Sequence, residues 1–460
     1  MTIKEELQGY WGFVRKKLED AKIKIWSVIE VTTPEATYKG VLLPRTNMGD
    51  DKHLVLKLDT GYNIGVRITD DTTIKEIGYN PGLYAIPEIE VKLDAKKPNV
   101  FLIGTGGTVA SRLDYRTGAV IPAFTPQELF SAVPELAEIC NLRTKLLFEV
   151  FSEDMTPDYW IKIAKTAAEE INTGIDGIII PHGTDTMHFT SSALSFMLRD
   201  LPVPVVLVGS QRSSDRPSSD AAINLISAAR VAAYSDIAEV VICMHGSSSD
   251  DYNLIHRGTR VRKMHTSRRD AFRTIGDIPI GLVKKDEIKM IRKDYRKRKK
   301  KGEVKLDTKL DPKVALIYTY PGMEANIINH LVDSKYHGIV LAGTGLGHCP
   351  KTLIEPLRRA IEENIPVAMT SQCLYGFIGM NVYERGRDLL KIGVIPCKSM
   401  LPETAYVKLI YVLGHTKNME EIHKQMTTNL SGEITTREPY NGYQILQGGV
   451  KGIKKLNTRF

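Results

Sequence analysis

The segment Ile103–Ala110 reads IGTGGTVA, and the segment Pro181–Met187 reads PHGTDTM. In each, an apolar run typical of a buried strand ends at a glycine-containing turn that carries threonine. Such runs alternate with helical stretches from residue 98 onward, which is typical of a parallel sheet with helices on both faces. Because ligands of such folds bind beyond the carboxyl ends of the strands, we expect the two threonine turns to meet in one cleft.

The chain of 460 residues is long enough for two or three domains. We predict a two-domain α/β fold, with a large and a small parallel-sheet domain, preceded by a small N-terminal β-barrel. The predicted parts are an N-terminal helix (1–22), a small β-barrel (23–91), a large catalytic α/β domain (98–283), a basic linker (284–313), a small α/β domain (314–430) and a C-terminal tail (431–460).

Individual elements follow from the periodicity of the apolar residues. Leu7, Trp11, Val14 and Leu18 have helical spacing and predict a helix over 3–21. Short β-rich runs predict barrel strands at 26–31, 37–43, 53–58 and 62–68. Apolar runs predict strands of the α/β domains at 99–103, 145–151, 177–181, 203–208, 240–244, 314–320, 338–343 and 366–371.

The composition is that of a globular protein, with 42% hydrophobic and 25% charged residues. No apolar run approaches the roughly 18–20 residues of a membrane span, and no signal peptide is evident, so we expect a soluble cytoplasmic protein. The five cysteines form no metal-ligand or disulfide pattern, and we expect reduced, mostly buried thiols and no metal site. Cys373 follows an apolar strand, but nothing near it in sequence would activate it as a nucleophile.

The net charge of +8 is concentrated in one segment. Residues 284–313 hold 14 Lys or Arg against 6 Asp or Glu, which accounts for the whole excess. The densest part, Arg296–Lys301, has few apolar residues and is typical of a solvated connector. A run of cations beside a catalytic domain would also attract a polyanion such as tRNA, so a phosphate-contacting arm stays open as the alternative.

The first glycine turn is not a good dinucleotide fingerprint, because it lacks the third glycine and the acidic residue that should follow about 20 positions later. We therefore expect no nucleotide cofactor there, and Thr108 at the exit of the turn becomes a candidate nucleophile. Thr184 and Asp185 stand where a helix begins, so they are candidates either for helix capping or for catalysis. A threonine nucleophile needs a base, for which Lys263 is the candidate if Arg260 and Arg262 favour its neutral form.

These segments resemble the signature motifs of the bacterial-type L-asparaginase family, in the same order and at the usual separation. The segment around Lys263, with Gly258 before it and Thr266 and Phe272 after it, resembles that family's catalytic lysine segment. Val208–Arg212 (VGSQR) matches the family's V-G-x-x-R turn. The resemblance covers approximately residues 98–415 and is highly specific.

The resemblance implies that a threonine attacks a side-chain amide. Thr108 would attack the carbonyl, Thr184 and Lys263 would transfer protons, and Asp185 would bind the α-ammonium group of the substrate. Which threonine attacks first stays open. The other implied substrate-binding residues are Gly107, Tyr115 in a lid loop, Ser152, Glu153 and Ser210, and the backbone N–H groups of Ser210 and Thr184 would face the oxyanion.

Two features depart from the plain asparaginases. Glu153 stands where they commonly carry glutamine, which makes the pocket more anionic and puts asparagine binding in doubt. The predicted barrel, with Gly61–Gly65 (GYNIG), has no counterpart in them. Together with Val382–Arg387 (VYERGR), it is similar to the amide-hydrolysing subunits of archaeal glutamyl-tRNA(Gln) amidotransferase.

This second resemblance implies that ammonia from glutamine or asparagine passes to a partner, the amidotransferase E subunit, which would convert Glu-tRNA(Gln) to Gln-tRNA(Gln). No phosphate-binding G-x-x-x-x-G-K-[ST] loop is present, so ATP and Mg are expected at the partner and no cofactor in this chain. A homodimer is implied, and a heterotetramer with the partner. A free-standing L-asparaginase is the main alternative, and a non-catalytic tRNA-binding scaffold is a further one.

Overall fold

A computed structural model describes residues 7–45, 49–58, 63–80, 94–106, 111–114, 119–122, 133–212, 218–299 and 302–439, with the backbone alone at 111–114 and 119–122. Over these residues the protein has an N-terminal β domain and two α/β domains, as expected. Among them, no helix is long and apolar enough to cross a membrane.

The N-terminal domain is an antiparallel five-stranded sheet covered by one helix. Its elements are α1 (Gly12–Asp20), β1 (Ser27–Thr32), β2 (Thr37–Leu42), β3 (His53–Lys57), β4 (Asn63–Arg67) and β5 (Thr73–Tyr79). The strand order is β4-β3-β2-β1-β5, and no ladder joins β4 to β5 within the described residues. The fifth strand was not among the predicted ones. Val14 and Leu18 of the helix are fully buried against the inner face of the sheet, which forms a core of its own.

The helix predicted over 3–21 is shorter in the structure, where residues 7–9 form a turn and α1 begins at Gly12. Trp11 therefore precedes the helix, and its side chain is exposed instead of joining Leu7, Val14 and Leu18 in the core. Its indole N–H donates to the carbonyl of Gly49 instead.

The large domain is built on an eight-stranded sheet with the order β18-β17-β14-β13-β12-β10-β6-β9. Its strands are β6 (Asn99–Gly104), β9 (Asn141–Leu146), β10 (Gly177–Pro181), β12 (Val205–Val208), β13 (Val240–His245), β14 (Asn253–Arg257), β17 (Gly281–Lys284) and β18 (Glu287–Met290). Its helices are α2 (Leu136–Ile139), α3 (Pro157–Asn172), α4 (Met187–Met197) and α5 (Ala221–Tyr234). Two hairpins and a small ladder lie outside this sheet: β7 (Ser111–Asp114) with β8 (Ala119–Pro122), β15 (Val261–Lys263) with β16 (Phe272–Thr274), and β11 (Leu198–Arg199) with β19 (Lys305–Leu306).

The first five strands of this sheet in chain order, β6, β9, β10, β12 and β13, run parallel. The continuous apolar character of β6, β10, β12 and β13 predicts this, whereas β9 is polar at most of its positions. The strand predicted at 145–151 is placed at 141–146, because β9 pairs with β6 directly after α2 ends. Beyond β13 the sheet continues with three antiparallel strands that were not predicted from the sequence.

The small domain has a parallel four-stranded sheet, β20-β21-β22-β23. Its elements are β20 (Val314–Tyr318), α6 (Asn326–Asp333), β21 (Gly338–Gly343), α7 (Ile354–Glu362), β22 (Val367–Ser371), α8 (Glu384–Lys391), β23 (Ile395–Pro396), α9 (Pro402–Leu413) and α10 (Met419–Thr427). Nearly every residue of α9 is buried, since this helix packs against α4 of the large domain on one side and β21 on the other. The two α/β domains therefore share one continuous core.

The basic segment 284–313 is anchored to the large domain over its described residues. Its first part completes β17 and forms β18, and β19 pairs with β11. The guanidinium of Arg298 donates to the carbonyls of Ala232, Ser235 and Asp176, at 2.6 to 2.8 Å. The bonds to Ala232 and Ser235 satisfy carbonyl groups at the end of α5, and the bond to Asp176 joins the segment to the residue before β10. The segment is thus mostly exposed to solvent, but it follows a defined path.

Candidate active site

The threonine turns follow two neighbouring parallel strands, β6 and β10, so both turns lie at the same edge of the large sheet. The hydroxyl of Thr105 donates to the carbonyl of Pro181 at 2.7 Å and links the two turns directly. Gly106 has a φ of +98°, and a β-carbon there would lie 2.5 Å from the carbonyl oxygen of Val150, so this turn requires glycine. Gly107, Thr108 and Tyr115 lie outside the described residues.

The second turn places Thr184 and Asp185 before α4 without using them as caps. Helix α4 begins at Met187, and Thr186 is the residue at its N-cap position. The hydroxyl of Thr186 donates to the carbonyl of Ser152 at 2.5 Å, so it binds a neighbouring loop. Thr184 is buried and Asp185 is mostly exposed. Capping, the simpler of the two interpretations from sequence, therefore does not account for either residue.

Lys263 contacts both Thr184 and Asp185. It is the last residue of β15, and its Nζ lies 2.9 Å from Thr184 Oγ1 and 2.8 Å from Asp185 Oδ1. The lysine side chain is only 10% exposed, whereas that of Asp185 is 69% exposed. A lysine amine in hydrogen-bond contact with a threonine hydroxyl is the arrangement that proton transfer to or from that hydroxyl requires.

The two arginines near Lys263 do not face its amine as the sequence had suggested. Arg260 is fully buried and donates to the carbonyls of Ser399 and Glu433. Arg262 lies between Val261 and Lys263 on β15, so its side chain points to the opposite face of the strand, where it pairs with Glu403 at 3.0 Å. Both arginines thus connect β15 to the segments around α9.

Ser152 and Glu153 belong to a short 3-10 turn, Ser152–Asp154, which lies beside the second threonine turn. Ser152 is buried, its carbonyl accepts the bond from Thr186, and its hydroxyl donates to Glu153 at 3.3 Å. The carboxylate of Glu153 is at the exposed side of this turn. Ser152 thus lies against Gly183 and Thr186, the residues on either side of Thr184 and Asp185 in the chain, and Glu153 is its neighbour.

The turn Gly209–Arg212, which follows β12, packs against the other side of Thr184. A β-carbon at Gly209 would lie 2.8 Å from Thr184 Cγ2, so the absence of a side chain permits this contact. Ser210, the predicted oxyanion-binding residue, is buried in this turn. Thr184 therefore lies between Lys263, which it contacts through its hydroxyl, and the turn that carries Ser210.

The residues that support this turn were not predicted from the sequence. Asp220 accepts the backbone N–H groups of Gln211 and Arg212, and the amide of Asn224 donates to the carbonyl of Gly209 at 2.9 Å. Asn224 in turn contacts His245 at the end of β13. A signal existed, because Asp220 directly precedes α5 and Asn224 follows it at the four-residue spacing that places two side chains on one face of a helix.

His182 and His188, which flank the second turn, are buried. Burial lowers the pKa of His182 to about 4, and burial together with the nearby Arg262 lowers the pKa of His188 to about 3. Neutral His182 is held between the carbonyl of Gly183 and the hydroxyl of Thr190. Its contacts are therefore those of a structural residue beneath the turn.

Among the described residues, no group of His, Cys, Asp and Glu side chains could hold a metal ion. All five cysteines are free thiols, and only Cys373 is exposed. The site therefore consists of hydroxyl, amine and carboxylate groups with backbone N–H donors.

Comparisons with known proteins agree with this picture. Family models match residues 99–296 (asparaginase, N-terminal), 313–426 (glutaminase/asparaginase C-terminal domain) and 23–77 (GatD N-terminal domain). The solved structure of the thermostable L-asparaginase from Thermococcus kodakarensis covers 73% of this chain and 99% of its own, with 35% identity and a TM-score of 0.65.

Two curated relatives extend over more of the chain. The D subunit of glutamyl-tRNA(Gln) amidotransferase from Pyrococcus furiosus is 56% identical over 89% of this chain and 93% of its own length. The corresponding protein of Pyrococcus abyssi is 53% identical over 93% of this chain and 98% of its own. The resemblance expected from the motifs is therefore confirmed, and the chain belongs to the family of glutamyl-tRNA(Gln) amidotransferase D subunits, which are related to the L-asparaginases.

Proposed function

We propose that this chain hydrolyses the side-chain amide of glutamine through a threonine nucleophile and supplies the ammonia to a partner protein. The observation that carries the proposal is the contact of Lys263 Nζ with both Thr184 Oγ1 and Asp185 Oδ1. A lysine removed from solvent, a buried threonine and an exposed carboxylate supply a proton carrier, a hydroxyl and a binding group for a cation in direct contact with one another.

In the proposed reaction the hydroxyl of Thr108 attacks the amide carbon, and Thr184 and Lys263 carry its proton toward the departing nitrogen. The C–N bond breaks, ammonia leaves, and water then hydrolyses the ester to release glutamate and the free threonine. The N–H groups of Ser210 and Thr184 stabilise the oxyanion. Thr184 is the alternative first nucleophile, and the buried position of its hydroxyl beside Lys263 suits either role.

The substrate is held by the polar groups at the exposed side of the site. Asp185 is exposed enough to accept the α-ammonium of an amino acid as well as to pair with Lys263. Tyr115 and Gly107 complete the predicted pocket. Glu153 adds a second carboxylate beside Ser152, which disfavours a substrate whose α-carboxylate would lie against it. Glutamine and asparagine share this α-carboxylate, so we place glutamine first because the relatives that cover most of the chain are amidotransferase subunits. A free-standing L-asparaginase is the alternative that the similarity to solved asparaginases favours.

The variants Lys263→Met and Thr184→Val test the chemistry. Each should lower kcat for ammonia release from glutamine by roughly 10²- to 10⁴-fold, the range for a lost proton-transfer group. Lys165→Met, which changes an exposed lysine on α3, is the matched control and should leave the rate unchanged. If Lys263→Met retained the wild-type rate, the proposed proton path would be wrong.

The destination of the ammonia is tested with the partner. Members of the family are named as subunits of glutamyl-tRNA(Gln) amidotransferase, so we propose that the E subunit, with ATP and Mg, uses the ammonia on Glu-tRNA(Gln). Glutamine hydrolysis should increase when the E subunit and Glu-tRNA(Gln) are added. Rapid asparagine hydrolysis by the chain alone, without stimulation, would favour the free-standing asparaginase. If Thr108→Ala left ammonia release and tRNA amidation intact, the chain would be a non-catalytic scaffold.

A homodimer is part of this proposal. Large apolar side chains of the small domain are 42 to 61% exposed: Tyr318 and Tyr320 at the end of β20, and Val382 and Tyr383 directly before α8. Exposed apolar side chains of this size are typical of an interaction surface, and we propose that a second copy covers them. Sedimentation of the full-length chain as an active monomer would exclude this assembly.

A further inference from the structure

A buried polar network lies beneath the turn Gly209–Arg212. Asn224 on α5 is its centre, and its side chain is fully buried. The amide nitrogen of Asn224 donates to the carbonyl of Gly209 and to Asp220 Oδ2, both at 2.9 Å. Because these two acceptors identify the nitrogen, the other end of the side chain must be the oxygen.

That oxygen, Asn224 Oδ1, accepts two further bonds. Asn253 Nδ2 on β14 lies 2.6 Å away, and His245 Nδ1 at the end of β13 lies 2.5 Å away. Asn224 therefore uses both of its donors and both of its acceptor positions. An asparagine bound in this way has one orientation, so it can transmit the position of β13 and β14 to the carbonyl of Gly209.

His245 is the other buried member of the network, and both of its ring nitrogens face acceptors. Its Nδ1 faces Asn224 Oδ1, and its Nε2 lies 3.1 Å from Asp250 Oδ1. An amide oxygen can only accept, so the contact with Asn224 requires a proton on Nδ1. Asp250 also accepts from its partner Arg269 at 2.7 Å, and Asp220 accepts from Asn224.

The network reaches the candidate site at two places, one beside Thr184 and one in the loop that follows Lys263. Gly209 contacts Thr184, so a shift of the turn would displace the threonine. Arg269 lies in the loop that joins β15, which ends at Lys263, to β16. The guanidinium of Arg269 also donates to the carbonyl of Ser248, which holds this loop against the end of β13. The same hydrogen bonds therefore fix the surroundings of both the hydroxyl and the amine.

We propose that Asn224 and His245 are positioning residues for amide hydrolysis: they hold the turn Gly209–Arg212 so that the backbone N–H of Ser210 faces the developing oxyanion beside Thr184. The inference rests on the proposed function, because the oxyanion forms only if an amide is hydrolysed. An oxyanion donor acts in the transition state and not on the bound substrate. A misplaced turn should therefore lower kcat and leave KM nearly unchanged.

Two substitutions of His245 in the full-length chain separate positioning from mere filling of space. In His245→Asn the amide nitrogen occupies the place of Nδ1 and can still donate to Asn224, so kcat should stay within about threefold of wild type. In His245→Gln the nitrogen occupies the place of Nε2 and faces Asp250, so Asn224 loses one of its two donors and keeps only Asn253, and kcat should fall about tenfold or more. Asn224→Asp, which replaces the donor to Gly209 by an acceptor, should lower kcat as far as His245→Gln does.

His256→Asn is the matched control, since His256 on β14 is equally buried but hydrogen-bonds to Thr274, away from the turn. It should leave kcat unchanged.

Asp250→Asn tests the network in a variant that will fold, because Asp250 is 53% exposed. It should lower kcat about threefold, and Asp251→Asn at the neighbouring position should not. A wild-type chain that releases no ammonia refutes the proposed function and the inference with it. An active wild type whose His245→Gln and Asn224→Asp variants keep kcat refutes the inference alone.

Discussion

Gly209 shows how closely single residues are fitted around Thr184. A β-carbon at this position would lie 2.7 Å from Met187 Cε, 2.8 Å from Thr184 Cγ2 and 2.9 Å from the carbonyl oxygen of His182. Backbone and a buried threonine cannot both move aside, so Gly209→Ala should displace Thr184 from Lys263. We expect kcat for ammonia release to fall about tenfold and the free energy of unfolding to fall by about 1–3 kcal/mol.

The control for this prediction is Gly65→Ala on β4, where an added β-carbon has open space around it. It should change neither the rate nor the free energy of unfolding by more than about 0.5 kcal/mol. A Gly209→Ala variant with full kcat would mean that the contact with Thr184 does not matter for the reaction.

Some residues of the site could be predicted from the sequence, and others could not. Thr184, Asp185 and Lys263 lie in motifs, and the structure places the lysine, 78 residues from Asp185, within 2.8 Å of it. Arg260 precedes β15 and donates to the backbone carbonyl of Glu433, and Arg262 faces away from Lys263 toward Glu403 because side chains alternate along the strand. Asn224 and His245 were not predicted as site residues, because they lie on separate elements that only the folded sheet brings together.

Among the elements, α9 joins the two α/β domains, and its Lys408 forms a fully buried ion pair with Glu433, which follows α10 in the chain. Lys408 Nζ lies 2.6 Å from Glu433 Oε1, and neither side chain is exposed. Lys408→Met would leave the Glu433 carboxylate buried without its counter-charge. We expect this variant to lower the free energy of unfolding by about 3–5 kcal/mol, measured by denaturant titration.

The second substitution decides whether the charge or the packing matters. Adding Glu433→Gln to Lys408→Met removes the unpaired charge and should recover about half of the loss. Lys305→Met breaks an exposed pair with Asp200 and should cost less than about 1 kcal/mol. Equal losses from Lys305→Met and Lys408→Met would contradict the explanation by burial.

Strands with a continuous apolar pattern were predictable from the sequence, whereas the strand at the edge of the large sheet was not. The parallel strands β10 and β21 have the predicted bounds because they are apolar on both faces. Strand β18 was hidden in the basic segment, since only Ile288 and Met290 face the core while the alternate residues are charged. Such a short alternation lacks an independent signal, and pairing with β17 is what makes it a strand.

At the scale of the whole molecule, buried histidines make stability depend on pH. Burial lowers the pKa of His182 to about 4 and that of His256 to about 3, whereas an unfolded histidine titrates near 6.5. Between these values the unfolded chain binds more protons, so the free energy of unfolding decreases as the pH falls below 6.5. We expect a loss of about 1 kcal/mol per histidine and pH unit between about pH 6 and 4.5.

Carboxylates such as Asp270, whose pKa is lowered by its arginine partners against the effect of burial, lose their contribution only below their unfolded value of 3.8. Glu403, whose pKa is raised by burial, acts in the opposite sense to the histidines. Denaturant titrations at several pH values measure the combined effect of these groups on the free energy of unfolding. His256→Asn should reduce the slope of this free energy against pH. A slope unchanged by this variant would show that His256 does not titrate on unfolding.

The basic segment contains the whole net charge, yet the structure divides its cations into two groups. Arg298 and Lys297 are committed to carbonyls and to Asp236, so they hold the segment in place. Lys299 is exposed and is followed in sequence by Lys300 and Lys301. A solvated connector needs no such cluster of cations on an anchored path, whereas an arm that contacts phosphates does.

We therefore predict that replacing Lys299, Lys300 and Lys301 by glutamine weakens tRNA binding by the complex and makes it less dependent on salt. Each lost phosphate contact should reduce the slope of log affinity against log salt concentration by about 0.7–0.9, so three contacts would reduce it by about 2–3. A triple variant of exposed lysines elsewhere, at Lys96, Lys165 and Lys391, removes the same charge and separates local contact from a general field. If the two triple variants changed tRNA affinity and its salt dependence equally, or not at all, the segment would be only a connector. A direct contact with phosphates predicts a larger effect for the variant in the segment, because counterions are released where cations touch the phosphates.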